Sequence, residues 1–172
     1  MATTNLSAYN PEEVPSGRGK KIAVIVSEWN HRVTGGLLAG ALETLLKYEV
    51  SEEEITVKWV PGSFELIYGA ARILGENQGA GYDGIIALGA IVRGETPHFD
   101  YIAQATTVNL GRLNAMAAEA GSGERGSFRP APVIMGVLTT DTMEQALARS
   151  GGIHGNKGVE AAVTLLKMMD RF

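Results

Sequence analysis

Three short segments of the sequence contain side chains suited to ligand binding and proton transfer. Trp29 offers a flat aromatic face on which a heterocycle can stack. Glu65 offers a carboxylate that accepts hydrogen bonds from hydroxyl groups. His98 offers an imidazole, and histidine ordinarily exchanges its proton near neutral pH. The segments are residues 28–31, 61–65 and 89–98. Together they suit a site that binds a polar heterocycle and moves protons on it.

The sequence matches other functional motifs only incompletely. Residues 79–84 and 121–126 match G-x-G-x-x-G, but the first precedes a predicted strand and the second follows a predicted helix. A dinucleotide-binding fingerprint requires a strand before it and a helix after it, so we interpret both as turns. Residues 151–157 approach a P-loop but lack its adjacent glycine and lysine and its Ser/Thr. The three histidines show no metal-ligand spacing, which predicts that there is no metal site.

Composition restricts the class of protein. The chain has 172 residues, a formal net charge of -4 and no cysteine. This length fits one domain, and the charge argues against a nucleic-acid-binding surface. The absence of cysteine excludes disulfides and thiolate chemistry. No apolar run reaches the length of a signal peptide or a membrane span, so we expect a cytoplasmic protein.

The elements that must position these side chains alternate along the chain. Four apolar, β-branched runs predict buried strands, and each is followed by apolar residues at helical spacing. The predicted strands are residues 21–27, 55–60, 85–88 and 133–138. Alternation of this kind predicts an α/β fold, a three-layer sandwich with a four-stranded parallel flavodoxin-like sheet.

Two segments lie outside this pattern. Residues 1–20 contain prolines and glycines without a clear period, and we interpret them as an arm outside the core, either mobile or laid against a neighbouring subunit. Residues 21–172 are then the single domain. The glycine-rich stretch 121–130 is expected to be an exposed loop.

Open parallel sheets bind ligands beyond the carboxyl ends of their strands. Trp29, Glu65 and His98 follow the first, second and third predicted strands. We therefore expect the three side chains to line a common cleft.

Three separated motifs resemble the signature of the lumazine synthase family. They are residues 60–65 (VPGSFE), 88–101 (LGAIVRGETPHFDY) and 155–158 (GNKG). The resemblance extends from about Lys21 to the C-terminus. It implies condensation of 5-amino-6-(D-ribitylamino)uracil with 3,4-dihydroxy-2-butanone 4-phosphate to form 6,7-dimethyl-8-ribityllumazine, phosphate and water. This is the penultimate step of riboflavin biosynthesis, and the resemblance implies that no cofactor or metal takes part.

The resemblance also implies roles for individual residues. His98 would transfer protons, and an aromatic side chain at Trp29 would stack on the pyrimidine ring. The residues expected to contact the ribitylaminouracil are Trp29, Ser63, Phe64, Glu65, Ala90, Ile91, Val92 and Met135. Those expected near the butanone phosphate are Glu95, Thr96, Arg149 and Lys157. Met135 stands where relatives often present a phenylalanine from the neighbouring subunit.

By the same resemblance, the site lies between subunits, because Arg149 and Met135 come from the adjacent chain. A homopentamer is the minimum competent unit, and some relatives assemble twelve pentamers into an icosahedral shell. The stretch 149–157 lacks an insertion found in many pentamer-only relatives, which favours a shell. Riboflavin synthase is the partner enzyme that the family suggests.

Two other functions fit parts of the sequence. A non-catalytic shell protein could hold riboflavin or lumazine through Trp29, but His98 and Arg149 favour an enzyme. A flavodoxin-like binder of flavin phosphates requires a Ser/Thr/Gly loop after the first strand, and residues 28–31 do not supply one.

Overall fold

The fold is an open parallel sheet covered by helices on both faces. The computed structural model describes residues 5–76, 81–121 and 130–172. The strands are β1 (Ile22–Ser27), β2 (Ile55–Val60), β3 (Gly84–Val92), β4 (Val133–Thr140), β5 (Ser150–Gly152) and β6 (Gly155–Asn156). The helices are α1 (His31–Lys47), α2 (Leu66–Gly75), α3 (His98–Gly121), α4 (Met143–Ala148) and α5 (Lys157–Arg171).

The main sheet has the strand order β2-β1-β3-β4, and all neighbouring pairs are parallel. This confirms the predicted flavodoxin-like α/β fold. Side chains of the central strand β1 alternate between two cores. Val24 and Val26 pack with α1 and α5, whereas Ala23 and Ile25 pack with α2 and α3. Because every residue of β1 is buried, its sequence is apolar almost throughout.

The structure adds detail that the sequence pattern does not predict. β3 continues to Val92, four residues beyond the predicted strand, because it pairs with β4 along that length. A short antiparallel hairpin, β5–β6, lies between α4 and α5. In the predicted turn at 79–84, residues 81–83 belong to no helix or strand and Gly84 begins β3, whereas residues 79–80 lie outside the described residues. The predicted loop at 121–130 falls largely outside the described residues. Within the described part of the chain, no helix is both long and apolar enough to cross a membrane.

The N-terminal segment differs from the expectation that it lies outside the core. Val14 is buried in the core cluster formed with α1 and α5, and Tyr9 packs against that cluster. The Gly17 N–H donates to the Tyr48 carbonyl oxygen over 2.7 Å, and the Tyr48 hydroxyl donates to the Pro11 carbonyl oxygen over 3.4 Å. These hydrogen bonds and the side chains of Tyr9 and Val14 hold the segment against the same chain, although the spacing of the two apolar residues follows neither a helical nor a strand period.

Candidate active site

A cleft of about 430 Å³ lies beyond the carboxyl ends of β1, β2 and β3. Its size lies within the range of small-molecule sites. The lining residues are Trp29, Asn30, Ser63, Phe64, Glu65, Ala90, Ile91, Val92, Gly94, Thr96, His98, Phe99 and Ile102. Nine of the thirteen residues predicted to be functional therefore lie together: Trp29, Ser63, Phe64, Glu65, Ala90, Ile91, Val92, Thr96 and His98.

Strand register creates the cleft. Ser27, the last residue of β1, pairs with Val60, the last residue of β2, so the two strands end at the same level. The pairing of β1 with β3 ends at Leu88, whereas the pairing of β3 with β4 continues to Val92. The segment 90–92 therefore extends past the end of β1 and forms one wall of the cleft.

Trp29 and Glu65 meet at Gly62. Backbone pairing continues past the strands, since the Glu28 N–H donates to the Val60 carbonyl oxygen and the Trp29 N–H to that of Pro61. A Cβ at Gly62 would lie 2.7 Å from Glu65 Oε2 and 3.0 Å from Trp29 Cε3. Trp29 is 70% exposed. An indole of this exposure beside a carboxylate offers a stacking face next to a hydrogen-bond acceptor.

Residues 63–65 enter the cleft because β3 has a glycine opposite them. A Cβ at Gly89 would approach Ser63 Oγ to 2.7 Å, so only glycine leaves room for the buried Ser63. Glu65 occupies the position before α2, but its carboxylate makes no capping hydrogen bond with that helix. Its carboxylate oxygens can therefore accept hydrogen bonds from a ligand.

Asn30 is a lining residue that sequence reasoning missed. It has a φ of 61°, in the left-handed region, which asparagine tolerates better than most residues. Its Nδ2 donates to the Ala90 carbonyl oxygen over 2.9 Å and so joins the end of β1 to the wall formed by β3. An asparagine in the short turn between a strand and a helix is the signal that could have indicated it.

Arg93, also not predicted, fixes the loop between β3 and α3. Its Nε donates to Asp141 over 2.8 Å, its Nη2 donates to Asp100 over 2.9 Å, and the guanidinium lies 4.1 Å from the centre of the Phe99 ring. Hydrogen bonds with Asp100 and then Asp141 raise the pKa of Arg93 above its ordinary value. The contacts hold the loop that carries Thr96 and ends at His98.

His98 is the first residue of α3 and is exposed at the cleft. An imidazole at this position can reach a ligand bound in the cleft. Glu95 is exposed and does not line the cleft. Met135 lies in β4 opposite Ala87 and packs, half-buried, against the α2–α3 core, outside the cleft of its own chain.

Arg149 and Lys157 lie in a separate cluster on the α1–α5 side of the sheet. Both form ion pairs with Glu160: Arg149 with Oε1, and Lys157 with Oε2 at 2.9 Å. Arg149 Nη1 also donates to the His154 carbonyl oxygen over 2.6 Å. The cleft opens between α2 and α3 on the other face, so one chain does not bring these cations to it.

Burial raises the pKa of Glu160, but hydrogen bonds from Lys157, Ser7 and Arg149 outweigh it, and the net pKa lies below the ordinary 4.5. The cluster therefore carries one carboxylate and two cations at neutral pH. This leaves a net positive charge that suits a phosphate group. Among the described residues, no group of three His, Asp or Glu side chains is placed to hold a metal ion.

A second cavity, of about 560 Å³, lies at the amino end of the sheet. Alanine, proline and methionine side chains of α3, α5 and the segment before β4 form most of its wall. It is larger than the cleft and includes Asp83 and Phe172 in its wall, but no histidine lines it, and parallel sheets bind ligands at their carboxyl ends. We therefore take the cleft as the candidate active site.

Comparison with known proteins identifies the family. Residues 19–172 match the family model described as 6,7-dimethyl-8-ribityllumazine synthase. Curated proteins of that name are similar over nearly their full length. The one from Porphyromonas gingivalis is 49% identical over 170 residues, covering 98% of this chain and 96% of its own. Those from Phocaeicola vulgatus and Parabacteroides distasonis are 44% and 45% identical over 172 residues, with 94% and 98% of their lengths covered.

The Glu160 cluster predicts a pH dependence of stability. Because the folded pKa of Glu160 lies below 4.5, its ion pairs stabilise the fold above that pH and are lost as the pH falls through the folded pKa. We expect Glu160→Gln to destabilise the protein by about 2 kcal/mol at pH 7, since it leaves two cations without their carboxylate. Thermal unfolding from pH 7 to pH 3 should show this difference shrinking below pH 4.5.

Glu49→Gln is the matched control, because Glu49 pairs with Arg18 at an exposed site where ion pairs contribute little. It should change stability at pH 7 less than Glu160→Gln does. An equal effect of the two variants, or a Glu160→Gln effect that does not vary with pH, would contradict this account of the cluster.

Proposed function

The chain belongs to the 6,7-dimethyl-8-ribityllumazine synthase family, and we propose that the cleft containing Trp29, Glu65 and His98 is where its substrates react. The protein is a transferase of riboflavin biosynthesis. The reaction condenses 5-amino-6-(D-ribitylamino)uracil with 3,4-dihydroxy-2-butanone 4-phosphate and releases the lumazine, phosphate and water. The convergence of an indole, a carboxylate and an imidazole on one cleft is the observation that carries the assignment of the site.

In this proposal the ribitylaminouracil lies across Trp29, with its ribityl hydroxyls against residues 63–65. Two observations support this placement: the indole is exposed, and the carboxylate of Glu65 makes no capping hydrogen bond with α2. Backbone groups of 90–92 would bind the pyrimidine edge, which is supported by the extension of β3 past the end of β1. Met135 of a neighbouring subunit would contact the heterocycle through its polarisable sulfur.

His98 would transfer protons in each stage. Imine formation joins the 5-amino nitrogen to the ketone carbon and expels water. Elimination then removes a proton from carbon as the C–O bond to phosphate breaks, and the resulting enol becomes a ketone by taking up a proton on its terminal carbon and losing its hydroxyl proton. Ring closure joins the ribitylamino nitrogen to the newly formed carbonyl carbon and expels a second water. An imidazole that alternately accepts and donates a proton serves all three stages, and the position of His98 in the cleft supports this role.

The phosphate group would bind at the loop of Glu95 and Thr96, through backbone N–H groups and the threonine hydroxyl. Glu95 is exposed and does not line the cleft, so its carboxylate would not repel the bound phosphate. Arg149 and Lys157 of an adjacent subunit would complete the phosphate site. Their position on the opposite face of their own chain supports a contribution in trans.

We also propose that the chain works as a homopentamer or a pentamer-based shell in the cytoplasm. Three large side chains on α3 support self-association: Tyr101, Val108 and Met116 are 68%, 59% and 54% exposed, and their spacing places them on one side of the helix. The absence of cysteine is compatible with a reducing compartment. Riboflavin synthase, which acts on the lumazine, is the proposed partner enzyme.

His98→Ala should lower kcat by about 100-fold or more without abolishing turnover, because acid–base catalysis contributes about 10²–10⁴-fold while the positioning of two substrates remains. Lumazine fluorescence measures the rate. His31→Ala is the control, since His31 lies at the start of α1 outside the cleft lining. Wild-type turnover in His98→Ala would reject the proton-transfer role.

Gly62→Ala should raise the KM for the ribitylaminouracil by about tenfold, because a methyl group there displaces Glu65 Oε2 and the Trp29 ring, and such overlaps cost about 1–3 kcal/mol. The KM for the butanone phosphate should change little. Gly75→Ala, at the other end of α2, adds a methyl group with no neighbour within 4 Å and serves as the control. Equal effects on both KM values would argue against a ribitylaminouracil site at Gly62.

A site shared between subunits predicts complementation. His98→Ala and Arg149→Ala should each be impaired, but oligomers assembled from an equal mixture should recover about one quarter of wild-type activity, since random cyclic neighbours place an intact His98 beside an intact Arg149 with that frequency. Native mass spectrometry would give the oligomeric state of the same samples. No recovery in properly mixed oligomers would place both residues in one chain's site.

A further inference from the structure

Ser7 of the N-terminal segment lies inside the Arg149–Glu160–Lys157 cluster. Its side chain is buried, at 7% exposure. The hydroxyl is within hydrogen-bond distance of Glu160 Oε1 at 2.7 Å, the Asn156 N–H at 2.7 Å and Arg149 Nη1 at 3.3 Å. The family model begins at residue 19, so this contact comes from a part of the chain that the model does not match.

The direction of these hydrogen bonds is fixed. A serine hydroxyl has one proton to donate and two lone pairs to accept with. Both the Asn156 N–H and the Arg149 guanidinium can only donate, so the hydroxyl accepts from them and donates its proton to the Glu160 carboxylate. Ser7 thereby joins the carboxylate, the guanidinium and the start of α5, which follows Asn156, in one arrangement.

The β5–β6 hairpin has a glycine where the N-terminal segment crosses it. Gly155 has a φ of 87°, and a Cβ there would overlap Asn5 Oδ1 and Ser7 Oγ. The Leu6 N–H donates to the carbonyl oxygen of His154, which also accepts from Arg149. Because Gly155 has no side chain, the N-terminal segment packs directly against the backbone of the hairpin. The position of the hairpin therefore depends on Ser7 and its neighbours.

We propose that Ser7 is a positioning residue that holds Arg149 in the orientation used to bind the phosphate of the butanone substrate. The inference rests on the proposed role of Arg149. Glu160 Oε1 is shared by Arg149 and Ser7, whereas Oε2 is held by Lys157. Without the hydroxyl, Oε1 loses a donor and the Asn156 N–H loses its acceptor, so the guanidinium, still held by Glu160 and the His154 carbonyl oxygen, is less firmly ordered before phosphate binds. The further ordering that binding then requires weakens phosphate affinity.

Ser7→Ala removes one oxygen atom and tests the inference in the assembled enzyme. The KM for the butanone phosphate and the inhibition constant of inorganic phosphate should both rise by about 3- to 10-fold, as expected for one lost hydrogen bond. The KM for the ribitylaminouracil should remain within twofold, or about the error of such measurements. Ser16→Ala is the matched control, because its hydroxyl donates to Glu49 at an exposed position of the same segment.

A double-mutant cycle with Arg149→Lys separates positioning from general stabilisation. If Ser7 acts through Arg149, Ser7→Ala should have no further effect on phosphate inhibition in the Arg149→Lys background. Additive effects, or unchanged phosphate inhibition in Ser7→Ala alone, would overturn the role of Ser7 and leave that of Arg149 standing. Unchanged inhibition in Arg149→Lys would overturn the proposed phosphate site and the role of Ser7 with it.

Discussion

Parallel pairing of β1 with β2 and β3 determines where this protein can do chemistry. Because β1 and β2 end at the same level, the segments that follow them emerge side by side, and hydrogen bonds from Glu28 and Trp29 keep them together. β3 continues along β4 to Val92, so its last residues form a wall of the cleft beside the segments that follow β1 and β2. The cleft therefore follows from strand register, and its side chains need only occupy the first positions after each strand.

The same sheet separates the two groups of residues that are proposed to bind phosphate. The cleft with Thr96 and His98 opens on the α2–α3 side, whereas Arg149 and Lys157 lie with α1 and α5 on the other. A four-stranded sheet with buried cores on both faces cannot be crossed by a side chain. The proposal of a site shared by adjacent subunits is the arrangement that lets cations on one face of a chain meet a cleft on the other face of its neighbour.

Sequence patterns predicted the fold and the meeting of Trp29, Glu65 and His98 because both depend on local order, whereas the other cleft residues were expected from the family resemblance. Buried strands read as apolar runs, and residues that follow strands share one edge of the sheet. Contacts that depend on distant partners were not predicted: Arg93 is held by Asp141, and Asn30 by Ala90. The packing of the N-terminal segment was also missed, because the anchor Val14 is a single apolar residue among prolines and polar residues.

Glu160 orders the side chains of Arg149 and Lys157 while the cluster keeps a net positive charge. A lone carboxylate between Arg149 and Lys157 neutralises one cation and leaves the other available to an anion. It also fixes both side chains, so the proposed binding of phosphate would cost less conformational entropy. The arrangement works only while Glu160 is ionised and its oxygens are fully hydrogen-bonded. In the proposed role of Ser7, the N-terminal segment therefore affects phosphate affinity through its hydrogen bond to Glu160.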